Sequence, residues 1–549
     1  MNLLRTPRTR CVRGVRNIDF FENMDNEKNI IDEILKNIKN GEDEARKGTS
    51  VSETAENGFA AAETEGFAGG GFYDVSESAR KFYKDGEYEK AAELWFKAAE
   101  AGDAYSQVCI GVCYLEGEGV AKDVKTALEW FKKSAEQDSP EAHYELGMCY
   151  LMGTGVEKDD AVAVNYLKKA ADFGIAPAQY ALANCYYDGT GVPRDAEEEV
   201  YWLKRASEQN YYKAQHALGI CYLEGTGVEK NAVEAVNLFT LAAERDYPEA
   251  YYELGMCYLK GTGVEKDDAV AVNYLKKAAD FDNVLAQYEL GCIYDEGNGV
   301  PKNYAAAVEF YKKAAESGYA EAQNEYGWCF VVGKGVKKDL REAGRWFRRA
   351  AEQGDMRAQF NLGMCYEKGY GMSADADKAF KWHLKSAEQG DDRAQLHTGW
   401  NYLMGNGVKV DGVEALKWFK RSAMQGNAQA MSEVGYCNQN GIGTKKNREE
   451  CVNWYRKAAE CGNSMAMYNL GCCFRHGTGV KKDMLKAVEW YEKAAENGEV
   501  DAMLSLGFLY EKGKGIKKDI ELAESWYKKA ADNGNEEVKL FLEKKKFRK

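Results

Sequence analysis

Residues 139–174 read SPEAHYELGMCYLMGTGVEKDDAVAVNYLKKAADFG, and this stretch decides the fold because its pattern recurs every 36 residues, twelve times without a slip. Ser139 is a good N-cap residue, and Pro140 stands at the first helical position, where its missing N–H removes no hydrogen bond. The spacing predicts a first helix running to about Met152 and stopped by Gly153 in the left-handed conformation. The turn GTGVEKD follows, and Asp159 caps a second helix. One such pair cannot bury its apolar faces alone, so neighbouring units must stack on each other. The predicted fold is all-α: a right-handed α/α superhelical solenoid of about twelve 36-residue antiparallel helix-pair repeats, with cap helices at the ends.

The period is carried by a small residue in each first helix, at Gly111, Gly147, Ala183, Gly219, Gly255, Gly291, Gly327, Gly363, Gly399, Gly435, Gly471 and Gly507, each followed by a Gly-x-Gly turn. The cap of the second helix is Asp or Asn in all twelve copies, from Asp123 and Asp159 to Asp483 and Asp519. Ala142 recurs as Ala in eleven copies, and an aromatic follows three residues after the small marker in eleven. The large position of the second helix is Trp in eight: Trp130, Trp202, Trp346, Trp382, Trp418, Trp454, Trp490 and Trp526. Small residues where helices cross and large ones where they interlock are what close packing needs, so these positions are predicted core. Residues 140–173 and 248–281 differ only at His143/Tyr251 and Met152/Lys260, which points to a recent internal duplication.

Outside the array the chain changes character. Residues 1–16 carry five arginines and no acid, but Pro7 and Gly14 spoil the amphipathic helix of a mitochondrial presequence, and Met24 offers an alternative start. Ile30, Ile31, Ile34, Leu35 and Ile38 form one apolar helical stripe, so residues 1–40 are read as a basic segment with an amphipathic helix. Residues 41–74, rich in Glu, Ala, Gly, Ser and Thr, are expected to be a flexible linker. Residues 75–103 form the N-terminal cap, since AAELWFKAAEAGD at 91–103 already resembles a second helix; residues 104–535 form the repeats; residues 536–549 form a C-terminal cap helix with a basic tail.

Composition excludes several functions. A net charge of −14, with lysine and arginine interspersed, opposes phosphate backbones, so nucleic-acid binding is not expected. No 18-residue apolar run and no secretory h-region is present, and the expected compartment is cytoplasmic. Nine of the fifteen cysteines fall two residues after the marker, one per repeat, as expected of buried apolar thiols in a reducing compartment. The Gly-rich turns lack P-loop spacing, and Ser525-Trp-Tyr-Lys528 has the SxxK spacing of penicillin-binding enzymes without SDN or KTG. His143, His216, His383, His397 and His476 form no HExxH, and the pairs Cys109/Cys113 and Cys472/Cys473 lack zinc-site second halves. No catalytic, cofactor-binding or metal-ligating residue is nominated.

The recurring A-x-x-x-L-G-x-x-Y, G-x-G-V-x-K-D and A-x-x-W-[FY]-x-K-A-A-E resemble the Sel-one-like repeat, a relative of the tetratricopeptide repeat, over residues 104–535. Ala183, Glu199 and Asn438 depart from the pattern, and looser packing is expected there. First-helix positions three before, one after and four after the marker share a face. By the resemblance to tetratricopeptide repeats this stripe lines a concave groove, and the candidate partner-binding residues are Tyr144, Met148, Tyr180, Tyr252, Met256, Tyr288, Trp328, Phe360, Met364, Trp400, Tyr436, Tyr468 and Phe508. Glu145, Glu253, Glu289, Glu325 and Glu433 lie one position along and favour a basic or apolar protein or peptide partner. The resemblance implies a non-catalytic interaction scaffold or adaptor. Alternatives are a β-lactamase-like hydrolase or cell-wall-fragment binder of the cysteine-rich subgroup, whose two cysteines per repeat are absent here, and a secreted effector acting by protein binding. RNA binding by helical hairpins is a further class, opposed by the acidic balance.

Overall fold

In a computed structural model, residues 71–533 and Lys539 are described. They hold twenty-six α-helices, and among the described residues there is no strand. The protein is an all-α helical repeat. The predicted segments at 1–40 and 536–549, and the linker up to residue 70, lie outside the described residues apart from Lys539; the first described helix is Gly71–Lys84. The described residues fall into two compact units: 71–290 with 298–300, and 291–297 with 301–533.

In the first unit the helix Pro140–Met152 begins with Ser139 Oγ accepting from the Ala142 N–H at 3.4 Å. It stops at Gly153, whose φ is +71° and whose N–H returns to the Cys149 carbonyl. Asp159 then accepts from the N–H groups of Ala161 and Val162 at 3.1 and 3.0 Å to start the helix Asp160–Asp172. The same side-chain cap opens the second helix of all twelve repeats.

The second glycine of the Gly-x-Gly turn has a different task from the first. Gly227 has a φ of +66°, and a Cβ there would stand 1.9 Å from the Ala196 carbonyl oxygen. The turn is thus seated directly on the start of the preceding second helix, which no residue with a side chain permits. The marker glycine is also a contact residue: a Cβ on Gly147 would meet Leu167 Cγ at 2.8 Å.

Packing follows the predicted pattern. The eleven alanines of the Ala142 position are all fully buried. Trp130, Trp202, Trp346, Trp418 and Trp526 are buried, and Trp382, Trp454 and Trp490 are half-buried. In all eight, a Lys or Arg three residues later lies over the indole, from Lys529 at 4.0 Å to Arg205 at 5.4 Å. Each aromatic therefore presents one face to the core and the other to a cation at the surface.

A glutamine ladder joins successive repeats. In the first unit Gln179 Nε2 donates to the Ala171 carbonyl at 3.0 Å, and Gln209 Nε2 donates to Gln179 Oε1 at 2.9 Å. In the second unit Gln359 donates to the Ala351 carbonyl at 3.3 Å and accepts from Gln389 at 2.8 Å. A buried amide so placed satisfies a second-helix carbonyl and fixes the register of the next repeat.

The nine periodic cysteines are buried and free, and burial pushes the thiols of Cys149, Cys185, Cys257, Cys365 and Cys437 up to about 12. The looser packing expected at the departures from the pattern is not found. Ala183, Glu199 and Asn438 are 0%, 4% and 6% exposed. Cys221 Sγ donates to Glu199 at 3.5 Å and Asn438 Nδ2 donates to the Val434 carbonyl at 2.8 Å, so the polar replacements are closed by hydrogen bonds.

Candidate functional site

The predicted stripe divides by unit. In the first unit Tyr144, Tyr180, Tyr252 and Tyr288, three residues before the marker, are half-buried, whereas Met148 and Met256, one after it, are 6% and 8% exposed. In the second unit that order does not hold throughout. Phe360 is buried before its marker, but Met364, Trp400 and Phe508 after theirs are half-buried and Tyr436 is exposed. Tyr468 is half-buried and Trp328 is 6% exposed. Met148, Met256, Trp328 and Phe360 thus lie in the packing between helices, and the stripe reaches the surface through the tyrosines in the first unit and through Met364, Trp400, Tyr436, Tyr468 and Phe508 in the second.

Around that row sits an aromatic cluster. Tyr180 and Tyr211 have ring centroids 5.6 Å apart, Tyr212 and Tyr247 5.0 Å, and His216 and Tyr247 5.3 Å. Lys213 and Glu249 lie against it; burial lowers the lysine and raises the carboxyl from their ordinary values.

The glutamate row is less charged than its composition suggests. Burial pushes Glu253 up to about 7 and raises Glu433, against which the Trp400 indole donates a hydrogen bond. Glu325 is paired with Arg357 at 3.3 Å, and Glu145 is 3% exposed. These carboxyls are part of the packed inner face, so recognition by a simple acidic stripe is weakened.

One cluster was invisible in the sequence. Glu367, His383 and His397 each place a donor atom within 4.8 Å of the other two. His397 Nδ1 is 3.1 Å and His383 Nδ1 is 4.0 Å from Glu367 Oε2, and the imidazole centroids are 5.0 Å apart. The helix Met356–Lys368 carries Glu367, the helix Ala376–Gln389 carries His383, and the helix Asp392–Met404 carries His397. His383 is fully buried, and burial beside His397 pushes its imidazole down to about 3, leaving it neutral. Burial acts to raise Glu367, but hydrogen bonds from His397 and Lys368 bring it to about 2. No short motif contains these residues; only aligning the repeats on one another exposes them. By contrast, Ser525 and Lys528 are both exposed on the helix Ile520–Asp532, as expected of an ordinary second-helix surface.

The Sel1 repeat model matches thirteen segments, from residues 82–103 and 104–139 to 464–499 and 500–535. The segment at 82–103, read from the sequence as a cap, is thus a thirteenth, partial match. Among solved structures, a protective antigen of uropathogenic Escherichia coli displaying an SLR fold is 36% identical, with a TM-score of 0.67 over 76% of this chain and 90% of that one. A Sel1 repeat protein from Oxalobacter formigenes is 31% identical, with a TM-score of 0.45 over 55% of this chain and 88% of that one. A comparison with curated proteins found no match. With its repeats matched end to end through residues 82–535, this chain belongs to the Sel1 repeat family.

Proposed function

We propose that the protein is a non-catalytic interaction scaffold whose first-helix surface binds a protein or peptide partner. The observation that carries this reading is the row of half-buried tyrosines, Tyr144, Tyr180, Tyr252 and Tyr288, at the same position of four first helices in one unit. Partly exposed tyrosines offer large rigid contact area with a polar tip, which suits reversible recognition of a partly apolar chain. Among the described residues no helix is long and apolar enough to cross a membrane. Free buried thiols fit a reducing compartment, and the cytoplasm is the proposed location. A single recurring cysteine position, rather than a recurring pair, and the exposed Ser525 and Lys528 give the hydrolase reading no support.

The test is quantitative capture from native lysate by the full chain and by a Tyr180→Ala, Tyr252→Ala variant. A protein held by the first and lost by the second, with an unchanged helical melting profile, supports the proposal. Identical capture by both places binding on another face.

A further inference from the structure

We propose that Glu367, His383 and His397 form a binding site for a divalent transition-metal ion of the imidazole-preferring kind, Zn2+ foremost, linking two adjacent repeats. The argument uses the chain as its own control, because every position here has eleven counterparts. At the position of His383 the other repeats hold only Phe, Leu or Tyr, as at Phe131, Leu167 and Tyr311. At the position of His397 five hold Glu and none of the others holds His. At the position of Asn401 nine hold Cys and the other two hold Ile293 and Leu509. Three departures from the repeat pattern, in two successive repeats, converge on one point beside Glu367.

The geometry suits a metal better than it suits a core. His383 has 0% exposure and turns its Nδ1 toward Glu367 and Asn401, while its Nε2, without a hydrogen-bond partner among the described residues, lies against Gly363. An apolar side chain of the repeat would fill that space without a desolvation cost. Two imidazoles and a carboxylate are a ligand set for Zn2+ and its neighbours rather than for Mg2+ or Ca2+. Donor separations of 3.1 and 4.0 Å need only small side-chain rotations to close on an ion about 2.0–2.2 Å from each. Asn401 Nδ2 lies 3.4 Å from His383 Nδ1, so a turn of its amide presents the oxygen to the same point. Glu367 and His397 are 27% and 18% exposed at their side chains, which gives the ion an entry path and leaves one coordination position toward solvent.

The test is Zn2+ titration calorimetry on the full chain without a histidine tag, in a non-chelating reductant, with Co2+ as the spectroscopic probe. Two variants keep the fold by the repeat's own precedent: His383→Phe, as at Phe347 and Phe419, and Glu367→Leu, as at Leu115 and Leu403. The wild type should bind one Zn2+ more than His383→Phe, with a visible Co2+ band free of thiolate charge transfer. Each variant should weaken that site by at least about 10-fold, since even outer-shell losses cost about 10–100-fold. Zn2+ should raise the wild-type melting temperature and leave that of His383→Phe unmoved, and Mg2+ should raise neither. Equal Zn2+ binding by wild type and both variants, no binding to the wild type, or a Co2+ spectrum of thiolate type unaltered in His383→Phe would each overturn the proposal.

Discussion

Replacing Gly227 by Ala should be far more damaging than replacing Gly174 by Ala, although both glycines have positive φ, +66° and +97°. A left-handed backbone costs a residue with a Cβ about 1–2 kcal/mol, and both variants bear this cost. Only Gly227 adds a collision, because its Cβ would lie 1.9 Å from the Ala196 carbonyl oxygen, whereas nothing lies within 4 Å of a Cβ at Gly174. The obstructing atom is backbone at the start of the helix Ala196–Glu208, so it cannot swing aside as a side chain would. Relieving the overlap requires the turn to lift off the preceding repeat, an overpacking cost of about 1–3 kcal/mol. The sum, roughly 2–5 kcal/mol, shifts a local opening equilibrium by about 30-fold or more. Since each repeat couples mainly to its neighbours, the effect should stay local. Hydrogen exchange read by mass spectrometry should show a markedly larger gain in exchange over residues 196–243 for Gly227→Ala than around residue 174 for Gly174→Ala, which bears the left-handed cost alone. Equal protection in the two variants would refute the assignment of the second turn glycine to repeat contact.

Three further outcomes follow from named contacts. Asp159→Ala removes the acceptor for two N–H groups and should destabilise the helix Asp160–Asp172 by about 1 kcal/mol, read as a local gain in exchange. Gln359→Leu should loosen the contact with the preceding repeat, because the Ala351 carbonyl and the Gln389 amide both lose a partner, at a cost of about 1–3 kcal/mol. Glu253 is raised from 4.5 to about 7 by burial, so the folded state holds its proton longer than the unfolded chain does. Its contribution is therefore full below about pH 4.5 and is lost as pH rises to about 7, amounting to at most about 3 kcal/mol. The denaturation midpoint of Glu253→Gln relative to wild type should rise across that window, and a flat difference would remove the buried-carboxyl reading.

Much of the fold was legible because the helix signals are local. Ser139, Gly153 and Asp159 each act within four residues of their own position, and twelve copies repeat the message. The partial repeat at 82–103 was seen only as a cap because its first-helix consensus is incomplete. Surface and core were harder to separate. Tyr252 and Met256 share a helical face in the sequence, but burial is decided by the neighbouring repeat, which covers Met256 and leaves part of Tyr252 in view. The glutamine ladder escaped notice for the same reason: Gln179 and Gln209 are thirty residues apart, and a polar residue in a buried stripe reads as surface until its partners are known. Glu367, His383 and His397 are likewise joined only by the stacking of two repeats.

The most direct test of the scaffold account is photo-crosslinking from p-benzoylphenylalanine placed at Tyr252, compared with the same probe at Val233, which is 58% exposed on the second helix Ala232–Ala243. The account predicts that position 252 yields a discrete crosslinked species with one partner, abolished by Tyr180→Ala, and that position 233 yields none. Crosslinking to the same partner from 233 alone, or from both positions regardless of Tyr180, would contradict it.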